Sequence, residues 1–366
     1  MPAFAPDTKN QAAFHPGCRL SCRLMKIVVA PDSFKECLDA SRVASVLSAE
    51  IRRLHPSWEV LECPLSDGGE GFARLVTQAL GGELVPVTVT GSMGSPVEAF
   101  WGKAGEVGVV DAASACGLSL VPPEKRNPLH ATSRGLGELM VAAFRAGCRR
   151  ILVGLGGTAT CDGGEGLMSA GGIGSLRGHV SLEVLCDVDN PFVGPRGAAR
   201  VFAPQKGADS AQVEVLEERM VRLAARILAE TGVDVAALPG AGAAGGLAGA
   251  LAAFFGARLL PGIDTVLSVI GFDRMRAGAD LVLTGEGSSD LQTLSGKVPY
   301  GVLRRAGDIP VVLLSGRIRD REALLSAGFS DVIAITPPGQ PLRAALQPEN
   351  AERNLRAATC RLLSGF

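Results

Sequence analysis

The chain has 366 residues, of which 47% are hydrophobic and 20% are charged, and its net charge is −1. These values are typical of a folded protein, and the sequence lacks the basic tracts that a nucleic-acid or membrane surface needs. Nine scattered cysteines without a C-x-x-C pair, together with only four histidines, do not favour a disulfide framework or a zinc site. We therefore expect a cytoplasmic protein that binds neither nucleic acid nor membrane.

The first half of the chain predicts several short strands. Residues 1–24 lack an apolar pattern and are expected to be a disordered extension, and a helix capped by Asp39 or Ser41 should run to about Leu54. Residues 91–94 (GSMG) predict a hairpin turn, and a further helix is expected at 133–147. Strands are predicted at 26–31, 59–64, 83–90, 96–101, 107–111, 150–155 and 181–187.

The second half is more regular. Residues 210–231 predict a long amphipathic helix. The uncharged segment 235–257 is rich in Gly and Ala, which favours a buried helix after a glycine turn over a membrane span. The last third alternates between the two kinds of element, with strands at 280–284, 310–315 and 331–336 and helices near 297–306, 320–327 and 349–363.

Alternation of strands and helices predicts an α/β fold with parallel strands covered on both faces. We expect a Rossmann-like parallel-sheet domain built from both chain ends, residues 25–86 and 274–366. Residues 87–273 would form an inserted α/β domain of mixed sheet. The cleft between the two domains is the expected site.

Two glycine-rich turns follow predicted strands. In 67–71 (DGGEG), backbone N–H groups can face an anion while carboxylates bind a metal or a hydroxyl; an acidic helix start is the alternative. In 154–164 (GLGGTATCDGG), the N–H groups and the hydroxyls of Thr158 and Thr160 could hold phosphates. This second turn contains a G-x-G-x-x-A match, but its length exceeds what the dinucleotide fingerprint needs.

Two further glycine-rich segments differ in context. Residues 239–246 (PGAGAAGG) follow no strand, which favours close helix packing through small residues. Residues 284–290 (TGEGSSD) follow a strand and place two carboxylates with hydroxyls in one predicted loop, a set that suits Mg²⁺ with phosphate. Asp32-Ser33 and the 187–191 segment also follow strands, and Lys35, Lys206 and Lys297 are candidates for anion contacts.

Taken in order, these motifs resemble the type I glycerate kinase family over nearly the whole chain from Met25. The resemblance is carried by residues 25–35, 66–71, 127–138, 154–164, 186–191, 204–208, 239–246, 261–263 and 284–301. It implies phosphorylation of D-glycerate by ATP with Mg²⁺, and a two-domain α/β fold. Members of this type usually form 2-phosphoglycerate.

The resemblance also implies roles for individual residues. Asp187 would be the base or orient the hydroxyl, Asp189 is a second candidate, and Lys206 would neutralise phosphate charge. Substrate contacts are assigned to Asp32, Ser33, Lys35, Asp67 and Arg134. Nucleotide contacts are assigned to Gly156, Gly157, Thr158, Thr160, Asp162, Gly285 and Gly287, and metal contacts to Glu286 and Asp290.

Three departures from the family pattern keep alternatives open. Ser288 replaces the Arg of the usual G-E-G-R-x-D, Cys161 stands where Asn is usual, and the segment between Ala170 and Leu182 is shorter. A catalytically silent relative that binds a small hydroxy acid as a regulator is one alternative. A nicotinamide-dependent dehydrogenase is another, although no acidic residue is well placed for the ribose.

Overall fold

The structure is a computed structural model, and it describes residues 24–34, 37–69 and 71–364. Residues 1–23 of the expected extension and Lys35 lie outside the described residues. The strands are β1 (Lys26–Val29), β2 (Glu59–Glu62), β3 (Glu83–Thr90), β4 (Pro96–Ala104), β5 (Val107–Asp111), β6 (Arg150–Gly154), β7 (Ser181–Leu185), β8 (Arg258–Leu260), β9 (Leu281–Ser289), β10 (Val311–Ile318) and β11 (Asp331–Ala334).

Helices connect most of these strands. They are α1 (Ala40–Leu54), α2 (Phe72–Ala79), α3 (Ala112–Cys116), α4 (Arg134–Arg145), α5 (Glu165–Met168), α6 (Ala198–Phe202), α7 (Ser210–Thr231), α8 (Ala243–Phe255), α9 (Gly262–Val269), α10 (Phe272–Arg276), α11 (Val298–Ala306), α12 (Arg321–Ser326), α13 (Leu342–Ala345) and α14 (Pro348–Leu363). No helix in the described part of the chain is long and apolar enough to cross a membrane.

The strands form two sheets, and the predicted α/β fold with one parallel and one mixed sheet is confirmed. The first sheet has the order β11-β10-β9-β1-β2 and is entirely parallel, so it combines strands from both chain ends. The second has the order β3-β4-β5-β6-β7-β8, with antiparallel pairs at β3-β4 and β4-β5 and parallel pairs in the rest.

Local sequence explains several of these elements. Asp39 caps α1 by accepting a hydrogen bond from the Arg42 backbone, as predicted. The helix α7 has the bounds predicted from its apolar stripe, and Asp209 and Gln212 form a capping box at its start. The hairpin β3-β4 turns at the predicted glycines.

The two sheets share one hydrophobic cluster. Its buried members include Val28 of β1, Phe72 of α2, Leu152 of β6, Ile263 of α9 and Val282 of β9. The helices α2 and α9 both contact strands of the second sheet. Shared burial of this kind fixes the first sheet against the second, so that turns from both can form one site.

Two sequence predictions differ from the structure. The strand predicted to end at Thr284 continues through Ser289, because β9 pairs with an equally extended β10, with Arg317 opposite Ser288. Gly285, Glu286 and Gly287 therefore belong to a strand and not to a loop. The predicted domain boundary after residue 86 falls within β3, which is a strand of the second sheet. The domain limits otherwise stay a prediction.

Candidate active site

The turns after β1 and β2 lie side by side at the carboxyl edge of the first sheet. The Leu65 N–H donates to the Pro31 carbonyl at 2.9 Å, and the Asp32 N–H donates to the Gly285 carbonyl at 2.8 Å. Asp32 is buried, and its Oδ1 accepts from the Ser33 N–H at 2.6 Å. The edge therefore brings Asp32 and Ser33, both predicted substrate contacts, next to Gly285.

Gly262 joins the first sheet's edge to the second sheet. Its N–H donates to Asp187 Oδ1 at 2.7 Å, and it is the first residue of α9. A Cβ at this position would collide with both Asp187 Oδ2 and the Asp67 carbonyl oxygen. Only glycine allows the two acidic turns to approach α9 this closely. Residues 261–263 carry part of the family resemblance, but the sequence alone indicates no role for Gly262.

Asp187 is a carboxylate whose pKa is raised well above its ordinary value. Its pKa is raised to about 7, and the largest cause is partial burial of the carboxylate, which disfavours the charged form. The residue as a whole is exposed. The Gly262 hydrogen bond opposes this shift, while the negative charges of Asp67 and Asp264 add to it. A carboxylate with a pKa near neutrality can accept a proton under physiological conditions.

Asp189, the second candidate base, lies in a different environment. Its carboxylate is exposed and forms an ion pair with Arg196 at 2.6 Å. The hydrogen bond and charge of Arg196 lower the pKa of Asp189. A carboxylate with a lowered pKa is a weak proton acceptor, so the geometry favours Asp187 over Asp189 as the base.

The glycine-rich segment after β6 approaches the same edge. The Gly156 N–H donates to the Gly68 carbonyl at 3.0 Å, which places the segment beside the Asp67 turn. Gly157 is exposed, whereas Thr158 and Thr160 are buried. The next helix, α5, begins only at Glu165, so the segment is not the short strand-to-helix turn of a dinucleotide-binding fold.

Lys206 braces this segment from inside the protein. It is 3% exposed, and its ammonium donates to Thr158 Oγ1 at 3.2 Å and to the Thr160 carbonyl at 2.6 Å. Burial lowers the pKa of Lys206 to about 8, although the nearby Cys161 and Asp162 favour the charged form. Thr160 Oγ1 is buried without a hydrogen-bond partner among the described residues. The arrangement places the ammonium behind the predicted nucleotide loop.

Asp162 is bound on all sides by the protein. Its carboxylate accepts hydrogen bonds from the N–H and the hydroxyl of Ser133, each at 2.8 Å, and from the N–H groups of Gly164 and Gly166, each at 3.1 Å. Burial raises its pKa, and these hydrogen bonds oppose the shift. The carboxylate therefore holds the end of the glycine-rich segment in place. Its nucleotide role stays a prediction.

The segment 239–246 packs against the same glycine-rich segment. Gly245 has a φ of +72°, and its carbonyl accepts from the Gly163 N–H at 2.9 Å. A Cβ on Gly245 would collide with the Thr160 carbonyl. The contacts support the interpretation of 239–246 as a close-packing motif.

Arg134 is a surface residue at the first position of α4. Its Nε forms an ion pair with Glu138 at 2.8 Å, and Glu138 also accepts from the Thr90 N–H at 2.7 Å. Because Arg134 directly follows Ser133, it lies near the Asp162 turn. Its contact with substrate stays a prediction.

Glu286 and Asp290, the predicted metal ligands, are engaged by the protein. Glu286 Oε1 accepts from the hydroxyls of Thr293 at 2.6 Å and Ser289 at 2.9 Å, and Oε2 lies 3.5 Å from the Lys297 ammonium. Asp290 Oδ1 accepts from the backbone N–H of residue 292 at 2.9 Å. Within residues 24–34, 37–69 and 71–364, no group of three or more His, Cys, Asp or Glu could hold a metal ion. As they lie, these two residues do not fit Mg²⁺.

Asp111 is a site-edge carboxylate that sequence reasoning missed. It ends β5, is buried, and accepts hydrogen bonds from the N–H groups of Gly71 at 3.1 Å and Ala113 at 2.9 Å. It therefore fixes the start of α2 against the second sheet. Its position at the carboxyl end of a correctly predicted strand was the signal that could have identified it.

Comparison with known proteins places this architecture in a family. The model of the Glycerate kinase family matches residues 27–179 and 175–365. The chain belongs to the glycerate kinase family. The predicted family resemblance is thereby confirmed.

Individual glycerate kinase relatives match over similar lengths. The glycerate kinase of Bacillus subtilis (strain 168) is 40% identical, with 91% of this chain and 96% of the relative covered. The glycerate 2-kinase of Escherichia coli (strain K12) is 38% identical, with 91% and 97% covered. A crystal structure from Salmonella typhimurium LT2, described as a glycerate kinase 2, has a TM-score of 0.79 at 38% identity and covers 93% of this chain and 98% of its own.

Proposed function

We propose that this protein transfers the γ-phosphoryl group of ATP to D-glycerate, with 2-phosphoglycerate as the favoured product. The observation that carries the proposal is the placement of the Asp187 carboxylate at the junction of the two sheets, where it accepts from the Gly262 N–H beside the Asp67 turn. Family membership and the names of the relatives, glycerate kinase and glycerate 2-kinase, support the substrate.

In this mechanism Asp187 accepts the proton of the attacking glycerate hydroxyl. The hydroxyl oxygen forms a bond to the γ-phosphorus, the bond from that phosphorus to the bridging oxygen breaks, and ADP leaves with the electron pair. Gly262 keeps Asp187 in place by its hydrogen bond, since the carboxylate has little freedom against α9. Precise placement matters because phosphoryl transfer depends mainly on positioning and charge neutralisation.

The remaining predicted contacts divide between the two substrates. Asp32, Ser33 and Asp67, which follow β1 and β2 at the carboxyl edge of the first sheet, are proposed to bind the hydroxyls of glycerate. The backbone N–H groups of the 156–157 turn are proposed to face the phosphates. The other predicted contacts with glycerate or ATP stay predictions. They are Lys35, Arg134, Thr158, Thr160, Asp162, Lys206, Gly285 and Gly287.

Mg²⁺ is implied by the resemblance and would neutralise phosphate charge when bound. Because Glu286 and Asp290 do not fit a metal ion as they lie, we assign no step to the metal. The cytoplasmic location and the lack of nucleic-acid and membrane partners stay predictions. The seven described cysteines, which are free, agree with a reducing compartment.

The test is ADP release from purified protein supplied with ATP, Mg²⁺ and D-glycerate, followed by ³¹P NMR of the product. In 2-phosphoglycerate the phosphorus couples to one carbon-bound proton, and in 3-phosphoglycerate it couples to two. We expect ADP release that depends on glycerate and a product signal split by one proton. Binding of glycerate without ADP release would instead support the alternative of a catalytically silent regulator. The relatives do not favour this alternative, since they are named as kinases.

A further inference from the structure

The carboxylate of Glu286 is the centre of a buried polar network at the extended end of β9. The residue is 6% exposed, and the Ser289 hydroxyl that bonds it also bonds the Ser315 hydroxyl of β10 at 2.6 Å. Burial of a charged carboxylate is unfavourable unless the carboxylate is paired and hydrogen-bonded. Here both oxygens have partners, and Lys297 supplies the opposite charge.

Lys297 connects this network to the proposed active site. Its side chain is 36% exposed, so the ammonium pairs with Glu286 on one side while remaining open to solvent. One helical turn further along, Gly301 packs against Ile263, so that a Cβ on Gly301 would collide with that side chain. Ile263 directly follows Gly262, whose N–H holds Asp187. The first turns of α11 and α9 are therefore in contact, and Lys297 directly precedes α11, which packs in the hydrophobic cluster between the two sheets.

We propose that Glu286 is a positioning residue that holds the Lys297 ammonium as a cation for the phosphates of ATP, and that Glu286 does not bind Mg²⁺. The inference rests on the proposed kinase function. A free lysine samples many rotamers, and a buried carboxylate partner removes part of that freedom before the nucleotide arrives. The Thr293 and Ser289 hydroxyls fix the carboxylate in turn, because each donates to the oxygen that does not face Lys297.

The test compares E286Q, K297M and the double variant by steady-state kinetics with ATP. Glutamine keeps an acceptor oxygen for the two hydroxyls but removes the charge that attracts Lys297. We expect each single variant to raise KM for ATP about tenfold with kcat changed less than about threefold, the size expected for one charge-assisted contact. The double variant should be no worse than either single one, and K297R should recover most of the loss.

The opposing outcomes are equally specific. If the increases in KM for ATP of the two single variants multiply in the double variant, Glu286 does not act through Lys297 and the proposal is overturned. The Mg²⁺ concentration for half-maximal activity is measured for the wild type, for E286Q and for K297M. An increase in E286Q that K297M does not share would assign Glu286 to the metal and also overturn the proposal. An unchanged Mg²⁺ requirement in E286Q supports it.

A matched control separates positioning from general stability. Glu50 is also a buried carboxylate with arginine partners, Arg53 and Arg356, but it lies near the end of α1 at the opposite edge of the first sheet. E50Q should lower Tm without changing KM for ATP. If the wild type released no ADP with D-glycerate, the binding of ATP with Mg²⁺ would be measured by calorimetry for the wild type and E286Q. Weaker binding by E286Q than by the wild type supports the proposal. Equal binding by the two proteins, or no binding by the wild type, overturns it.

Discussion

Asp162 and Asp187 follow adjacent strands of the second sheet, and the protein surrounds them in opposite ways. Asp162 receives four hydrogen bonds, from Ser133 and from two glycine N–H groups. Asp187 receives one from Gly262 and faces the negative charges of two neighbouring aspartates. Burial raises the pKa of both carboxyls, but only Asp187 has an oxygen that the protein leaves without a hydrogen bond among the described residues.

The difference separates a carboxylate that maintains structure from one that can carry out chemistry. A carboxylate whose oxygens are all engaged by backbone and hydroxyl donors fixes the chain around it and cannot accept a proton without breaking those bonds. A carboxylate held by one backbone donor keeps its direction and retains a free acceptor. Five predictions test this distinction.

The largest effect is expected for Asp187→Asn. The amide keeps the hydrogen bond from the Gly262 N–H but cannot accept a proton, so kcat should fall about 10²- to 10⁴-fold. Because burial disfavours the charged carboxylate, the neutral side chain should not destabilise the fold. Steady-state kinetics together with thermal unfolding measure both quantities, and a wild-type kcat with an intact fold would remove Asp187 from the mechanism.

Asp162→Ala should act on stability first. It leaves the partly buried N–H groups of Gly164 and Gly166 and the Ser133 hydroxyl without their acceptor, which should lower the free energy of unfolding by about 3 kcal/mol. Chemical denaturation measures this change. A variant as stable as the wild type would contradict the structural role of Asp162.

Gly262→Ala tests the placement of Asp187. The added methyl group must displace either the Asp187 carboxylate or the Asp67 backbone. A displacement of this kind should lower kcat about 10- to 100-fold. Gly174→Ala is the control, because a Cβ there meets open space, and it should keep wild-type kinetics. Equal kinetics for both variants would mean that the contact at Gly262 does not position Asp187.

The pH dependence follows from the raised pKa of Asp187, about 7. The base must be deprotonated to act, so log(kcat/KM) should fall by about one per pH unit below that pKa and level off above it. The profile is measured between about pH 5 and pH 8. A flat profile across this range would show that no group with this pKa is required.

The smallest effect is expected for Asp189→Ala. Asp189 is exposed and paired with Arg196, so its removal should change kcat less than about twofold. The kinetics of this variant complete the comparison among the strand-end acids. A loss as large as that of Asp187→Asn would reverse the preference between the two candidate bases.

Much of the fold could be predicted from local sequence patterns. The bounds of β5 and α7 were predicted correctly, because alternating or helical apolar periodicity is a local property. The end of β9 was not, because residues 285–289 are rich in glycine and serine and become a strand only through pairing with β10. Pairing between segments that are distant in the sequence cannot be inferred from the local pattern of residues.

The sequence predicts which turns carry the candidate acids but not how the protein surrounds each of them. The sequence predicts acids after parallel strands as candidates, and two of them, Asp67 and Asp187, approach each other beside Gly262. The position after a strand does not by itself show that Asp162 is enclosed by hydrogen bonds and Asp187 is not, since that difference lies in tertiary contacts. The sequence also could not predict that Lys206 is buried, because lysine is usually exposed.

A single-turnover experiment tests the central claim most directly. Enzyme in excess over ATP is mixed with D-glycerate, and phosphoglycerate is measured over time for the wild type and Asp187→Asn, with the affinities for both substrates determined separately. We predict that the wild type forms phosphoglycerate and that the variant binds both substrates equally well but reacts about 10²- to 10⁴-fold more slowly. Equal rates of phosphoglycerate formation, or no phosphoglycerate from the wild type, would contradict the assignment.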